Sequence, residues 1–402
     1  MKEIKGKYLL VLIAMCGVIG ASLGLTTNVT GVYITPVAEA FNVGKGTVSM
    51  TLTICNIVYS IGGILVAKML NQKSYKKVAL ISAVLLTVST AAMGLSTSIW
   101  MLYVFSAVRG LAAGILGIVF ATMVINNWFV KNSGLATSIA FGCSGIVGAV
   151  FSPVLSSIIS SAGWRMGYFA AALLTILLYL PSFLFPISFA PETYGLKALG
   201  AAVEKVHPAN QQTEGYTKKL DGGLIAAVAA FAVIYAFATA MPTHLPGLAE
   251  AYGLNAGAMM LSICMATNTL GKILLGVLID KTGEKVSIML YGILIFIGLI
   301  LLALIPSDIS MLIGAGLLGL CYSVATVGTV MLCKTMFGIE NYSSVYPKIS
   351  MGTTLANAAG ASIIGYLYDF TGSYLIALYL IMALVAVSMI IIAKCYQRKT
   401  AR

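Results

Sequence analysis

Lys272 lies inside the apolar run Leu261–Ile279, eight residues before Asp280, the first acidic residue that follows it. A charge near the centre of a helix in lipid costs roughly 3 kcal/mol, and no Asp or Glu of the same segment stands near enough to offset it. A buried ammonium without a carboxylate is an anion receptor in waiting: a compact cation with three N–H donors. Asn268, one helical turn earlier on the same face, either donates an amide N–H to such an anion or bonds a neighbouring helix. Two more cations fall inside apolar segments. Arg109 either contacts solute or bonds helix backbone, and Lys348 either completes a second anion contact or snorkels to the headgroups. His244 stands between Pro242 and Pro246, which free backbone groups around it, so it is a proton site, a gate residue or an interfacial histidine. Tyr33, Tyr59, Tyr322 and Asn28 are polar or amphipathic groups in segments that should line a central cavity, where they either orient a carboxylate or pack.

The acidic residues restrict the mechanism. All 12 Asp and Glu fall in loops or at segment ends. Carboxylate-driven proton symport is therefore disfavoured, which leaves exchange, facilitated diffusion, or coupling through Lys272 or His244. No HExxH, no paired intramembrane carboxylates and no Ser/His arrangement at credible spacing occur, so the chain reads as a non-enzyme without metal or cofactor.

The elements that must hold these residues are membrane helices. Of 402 residues, 59% are hydrophobic and 9% charged, too little charge for a soluble surface. Twelve apolar segments recur, at 8–35, 46–70, 76–95, 99–126, 134–160, 167–189, 223–248, 257–279, 285–305, 309–333, 343–367 and 373–394. The run from Tyr8 outlasts a signal-peptide core and reads as an uncleaved first span. The net charge of +12 would suit nucleic acid, but its distribution argues otherwise. Nearly all Lys and Arg outside the spans fall on the side of the two termini; only Lys45 and Arg165 fall on the other. That is the positive-inside pattern: a multi-pass protein of a cell membrane, expected to be prokaryotic, with both termini cytoplasmic and lipid rather than nucleic acid as its surroundings. All 7 cysteines sit in apolar segments without metal spacing and read as small packing residues. Trp100, Trp128 and Trp164 fall at segment ends and are expected to anchor at the membrane interface.

The longest polar stretch, about 190–220, divides the segments six and six. Residues 1–189 and 221–402 are expected to form an N-terminal and a C-terminal six-helix bundle, with 190–220 a cytoplasmic connecting loop. The halves are alike. Glu39-Ala40-Phe41 matches Glu250-Ala251-Tyr252 at an offset of 211, and Thr53-Ile54-Cys55 matches Ser262-Ile263-Cys264 at 209. Gly163 matches Gly372 at the same 209, which places Gly63 opposite Lys272. This is a duplicated six-helix unit. Two parallel six-span repeats with a site between them at mid-membrane are an architecture of secondary transporters.

After the eighth segment the chain reads Gly276-Val277-Leu278-Ile279-Asp280-Lys281-Thr282-Gly283-Glu284-Lys285. This resembles the cytoplasmic loop signature of the major facilitator superfamily, carried here by Gly276, Asp280, Lys281, Gly283 and Lys285. The first-half copy is degraded, with Asn71 in place of the aspartate and Ser74 in place of the glycine. Arg109-Gly110-Leu111-Ala112-Ala113-Gly114 is similar to a second signature of that family. Within it, Gly31-Val32-Tyr33 through Phe41, and Gly271-Lys272 with Gly276, resemble the oxalate/formate antiporter and monocarboxylate porter branch, which usually has Arg where Lys272 stands. The resemblance implies an all-α polytopic protein whose twelve transmembrane helices form two pseudo-symmetric six-helix bundles.

The resulting expectation is a secondary active or facilitative transporter of a small organic anion, a mono- or dicarboxylate, working by alternating access, with exchange as one mode and a monomer as the unit. Lys272 supplies the main attraction. The alternative is an exporter of neutral or cationic amphiphiles, for which the 19 methionines would line an adaptable pocket. A weaker alternative is a transport-like membrane receptor.

Overall fold

A computed structural model of the chain describes residues 2–71, 73–130, 133–185, 187–200 and 221–400. In lipid every backbone donor and acceptor must be satisfied within the protein, and a chain without paired strands does this by helices. Among the described residues, extended pairing is limited to an isolated bridge between Phe129 and Leu199. Among the described residues, ten segments are long and apolar enough to cross a membrane. The 50-residue segment Leu135–Leu184 holds two helices, because Gly163 turns the chain at φ +84°. The helix Thr329–Thr371 is likewise broken at Gly338, with φ +75°. Both turns need the left-handed region that glycine occupies without a Cβ clash. The twelve expected spans are thereby accounted for, although the sequence placed a longer connection between the fifth and sixth than the single glycine found.

In chain order α1 runs through Lys2–Ile19, a π-helical stretch Gly20–Asn28, and Gly31–Phe41; α2 is Lys45–Met69 and α3 Tyr75–Gly94. Next, α4 joins Ile99–Ile115 to Ile118–Trp128, and α5 and α6 occupy 133–162 and 164–184. In the second half α7 joins Gly222–Ala238, Met241–His244 and Leu245–Ala251; α8 is Gly257–Thr282 and α9 Glu284–Leu304. Then α10 runs from Asp308–Ser323 through a π-helical Val324–Gly328 to 337, α11 covers 339–371, and α12 is Leu375–Thr400. The end of the molecule bearing the chain termini is called the terminal face below, and the opposite end the distal face.

The irregular stretches recur at corresponding places. The break after Ile115 in α4 and the π-helical start at Val324 in α10 are 209 residues apart. The π-helical stretch of α1 ends at Asn28 and the first helix of α7 at Ala238, 210 residues apart. Each break leaves backbone groups without a helical partner in mid-membrane, which is tolerated where side chains of the protein take them up.

Within each half, helices approach through glycine. A side chain at Gly110 in α4 would collide with the Cys55 carbonyl in α2, and one at Gly319 in α10 with the Cys264 carbonyl in α8. Both pairs are related by the 209-residue offset, so the same small-residue contact is used twice. All 7 cysteines are free, and five of them are buried, as packing residues would be.

One expectation fails. Trp100 is exposed at the distal end of α4, as an interface anchor should be, but Trp128 and Trp164 are buried. The segment after α6, with a 3-10 turn at Pro191–Tyr194, folds back under the first half. Trp128 Nε1 donates to the Ser188 carbonyl at 2.9 Å, and Leu199 N donates to the Trp128 carbonyl at 2.8 Å. Tyr8 closes the same corner by donating to the Lys197 carbonyl at 2.5 Å. Of the connecting loop expected at 190–220, residues 201–220 lie outside the described residues.

Candidate functional site

The two halves meet along two long seams, α2 against α11 and α5 against α8, and also where Gly31 of α1 packs on the Thr243 backbone of α7. Thr53 Oγ1 in α2 donates to the Ala358 carbonyl in α11 at 2.5 Å, and Ser262 Oγ in α8 donates to the Ala149 carbonyl in α5 at 2.6 Å. Donor and acceptor are each 209 residues apart, so one hydrogen bond is made twice. One turn toward the terminal face the seams diverge in chemistry. Asn56 Nδ2 reaches Asn357 Oδ1 at 3.4 Å across the α2/α11 seam. At the equivalent place on the other seam, Met265 packs on Gly148, where an added Cβ would lie 2.9 Å from its Cγ. The α5/α8 seam then continues a further turn, with Thr269 Oγ1 donating to the Gly142 carbonyl at 3.1 Å. Its counterpart Ser60 turns back to the Asn56 carbonyl in its own helix. Among the described residues, every hydrogen bond between the halves lies from this level to the distal face.

Six of the nine polar residues singled out from the sequence hold helices together, three of them at the helix breaks. Arg109 is buried, and its Nη2 donates to the Leu25 carbonyl, freed by the π-helical stretch of α1, at 2.8 Å. The Tyr59 hydroxyl accepts the Ile118 N–H at the break of α4, at 3.1 Å. Tyr322 donates to the Thr239 carbonyl at the break of α7, also at 3.1 Å. Asn28 Nδ2 donates to the Ser144 carbonyl at 3.0 Å, tying α1 to α5. His244 Nε2 lies 2.8 Å from the Ala361 carbonyl and joins α7 to α11 inside the second half. Tyr33 is buried toward the distal end, stacked on Tyr168 with ring centroids 4.2 Å apart. Six side chains that the sequence offered as solute contacts are thus engaged in holding helices.

Lys272 stands apart. It follows Ser262, Met265 and Thr269 on the stripe of α8 that faces α5, one turn beyond the last bond between the halves. It is half-buried and makes no hydrogen bond or ion pair with a described residue. Asn268 beside it is buried with its Oδ1 unsatisfied, as is Ser323 Oγ in α10 across from Gly271. The structure does not bring Lys348 to this place. It is exposed on α11, nine residues or two and a half turns from Asn357, so it points away from the side on which that amide meets Asn56.

Sequence reasoning passed over Asn357 and Asn56. Asn357 Nδ2 donates to Thr239 Oγ1 at 2.7 Å, so a chain of amides and hydroxyls runs from α2 through α11 to the break of α7. The signal was present: Asn357 is an isolated amide among small residues in Leu355-Ala356-Asn357-Ala358-Ala359-Gly360.

The loop motif is built as its residue types require. Gly283 ends α8 at φ +83°, and Asp280, Lys281 and Lys285 are exposed. Gly276 has open space around its Cα. The acid that ties helices together here is Glu284, which accepts hydrogen bonds from Thr335 Oγ1 and, at 2.9 Å, from the Tyr396 hydroxyl. In the degraded copy Asn71 closes its own turn, its Oδ1 accepting the N–H groups of Lys73 and Ser74, both at 3.0 Å.

Comparison with known proteins agrees with this architecture. A sequence model described as Major Facilitator Superfamily matches residues 14–316 and 223–402. The purine ribonucleoside efflux pump NepI of Shigella dysenteriae serotype 1 (strain Sd197) is 24% identical over 344 residues, which span 84% of this chain and 83% of that protein. Monocarboxylate transporter 9 of Pongo abelii is 30% identical over 122 residues, 30% of this chain and 24% of that protein. The solved structure of the nucleoside transporter NupG superposes with a TM-score of 0.72 at 12% identity, covering 97% of this chain and 99% of that one, a likeness of fold. Twelve helices in repeated halves, a lone cation where the halves part, and the family match over most of the length agree: this chain belongs to the Major Facilitator Superfamily.

Proposed function

We propose that this transporter carries a small organic anion, a mono- or dicarboxylate, by alternating access, with Lys272 as its principal contact. The observation behind the reading is the placement of Lys272 on the inward stripe of α8, just past the last bond between the halves and without a partner among the described residues. A charge pair about 4 Å apart at an effective dielectric of about 20 is worth roughly 4 kcal/mol, enough to offset the burial of the ammonium and leave binding energy. The unsatisfied Ser323 hydroxyl can donate to a carboxylate, and Asn268 Oδ1 can accept from a hydroxyl of the solute. The basic residues on the side of the termini argue that this side faces the cytoplasm, so the solute would enter or leave there in this conformation. The 122-residue match to a monocarboxylate transporter accords with an anionic solute.

A second reading rests on a different observation. The Asn56–Asn357–Thr239 chain is neutral and rich in donors and acceptors, which suits a hydrogen-bonding solute such as a nucleoside, and NepI is named as an efflux pump for purine ribonucleosides. Flux of labelled carboxylates, nucleosides and a lipophilic cation into proteoliposomes of the purified protein separates the readings. Carboxylate flux should fall at least tenfold in K272Q. Undiminished carboxylate flux in that variant, or flux of nucleosides or lipophilic cations alone, would sink the anion reading.

A further inference from the structure

The distal end of the α2/α11 seam carries an arrangement that the transport site does not use. The first turn of α2 has orphan N–H groups, as every helix start does, and its capping position is Gly44, which has no side chain to accept from them. The acceptor comes from the other half. Asp369, near the end of α11, takes the Lys45 N–H on Oδ1 at 2.7 Å and the Gly46 N–H on Oδ2 at 2.8 Å. The fit depends on small residues: a side chain at Gly44 would strike the Asp369 carboxylate, and one at Gly365 would lie 2.6 Å from the Gly46 Cα. The Lys45 side chain completes the clasp. Its ammonium lies 4.5 Å from the Tyr368 ring centroid, 5.8 Å from that of Tyr374, and 3.9 Å from Glu250 Oε2. Every partner of Lys45 and Gly46 in this clasp belongs to the second half. The corresponding position on the other seam is Ser160, whose hydroxyl bonds its own helix at the Ser156 carbonyl.

We propose that Asp369 is the latch of the distal gate: its carboxylate caps α2 only while the halves are closed on that side, and so sets how often the transporter opens distally. A carboxylate at a helix N-terminus gains from the helix dipole as well as from two hydrogen bonds. Opening the seam strips both from a helix start that has no cap of its own. The latch belongs to the conformational cycle and holds whichever solute is carried.

Spin labels on W100C and I309C, exposed positions at the distal starts of α4 and α10, report the distal separation in full-length protein whose native cysteines are replaced. In D369A the longer-distance population should rise about tenfold over the wild-type value, and in D369N by a smaller factor. Distance distributions unchanged in D369A, in protein that remains monodisperse, would overturn the proposal. A second variant guards against misfolding. G44C/D369C, oxidised to a disulfide, should show the short distance alone, and reduction should release the long one. A long distance that persists in the oxidised protein, or that fails to emerge on reduction, would equally overturn it.

Discussion

The α2/α11 and α5/α8 seams descend from one repeat and open with the same hydrogen bond, Thr53 to Ala358 and Ser262 to Ala149. They diverge on both sides of it. Toward the distal face, α2/α11 is held by charge, with Asp369 on the α2 terminus and Lys45 over two aromatic rings. At mid-membrane it carries an amide pair where α5/α8 carries Met265 against Gly148. Toward the terminal face, α5/α8 stays joined one turn longer, through Thr269 and Gly142. One seam is thus latched by charge at its distal end and joined by amides at mid-membrane; the other is packed on Gly148 and Gly145 at mid-membrane and stays bonded further toward the terminal face. A polar seam exchanges its bonds for bonds to water at modest net cost. Close van der Waals contact at glycine has no such substitute when helices part. The difference suits α2/α11 to open and close while α5/α8 serves as the surface on which the halves rock. Lys272 sits one turn past the last bond of α5/α8.

The comparison can be broken most severely at Gly145. A Cβ there meets Thr269 Oγ1 and lies 2.8 Å from the Met265 carbonyl, so G145V should force α5 from α8 at a cost of about 1–3 kcal/mol. Transport in proteoliposomes should fall more than tenfold, together with a lower melting temperature; a melting temperature and rate like those of the parent would mean that the tight seam is dispensable. The double variant N56M/N357G gives α2/α11 the mid-membrane chemistry of α5/α8. It should fold with a melting temperature close to the parent's but lose several-fold in transport rate, because the opening seam has gained the contact of the rocking one. A rate equal to the parent's would remove the functional distinction between the seams. The smallest effect is the most diagnostic of common origin. T53A and S262A each delete one copy of the shared bond and should each lower stability by about 0.6 kcal/mol, the usual size for such bonds within membranes. Denaturation that separates the two variants by more than about 1 kcal/mol would show that the repeat no longer shares the load equally.

Much of the fold was legible in the chain because the lipid environment imposes it. Segment lengths follow from bilayer thickness. The repeat is visible in Thr53-Ile54-Cys55 and Ser262-Ile263-Cys264. The site was only partly legible. Lys272 stood out as a candidate because an unpaired charge in an apolar run has few explanations. Arg109, Tyr59 and Tyr322 were equally visible as polar residues, yet each is taken up by a helix break. A break in a central helix frees particular carbonyl and amide groups, and sequence alone does not say which side chain will reach them. Trp128 illustrates the same limit, since a tryptophan at a segment end reads as an anchor until the following segment folds back over it.

By itself, then, the sequence determined the membrane-spanning helices, their duplication and the lone cation in the eighth, because each follows from the hydrophobic cost of placing a given residue in lipid. Tertiary structure decided which polar groups pair, that Asp369 caps a helix 324 residues away in the chain, and that two copies of one seam carry different chemistry. Those outcomes depend on distances between residues remote in sequence, and packing of the two halves alone fixes them.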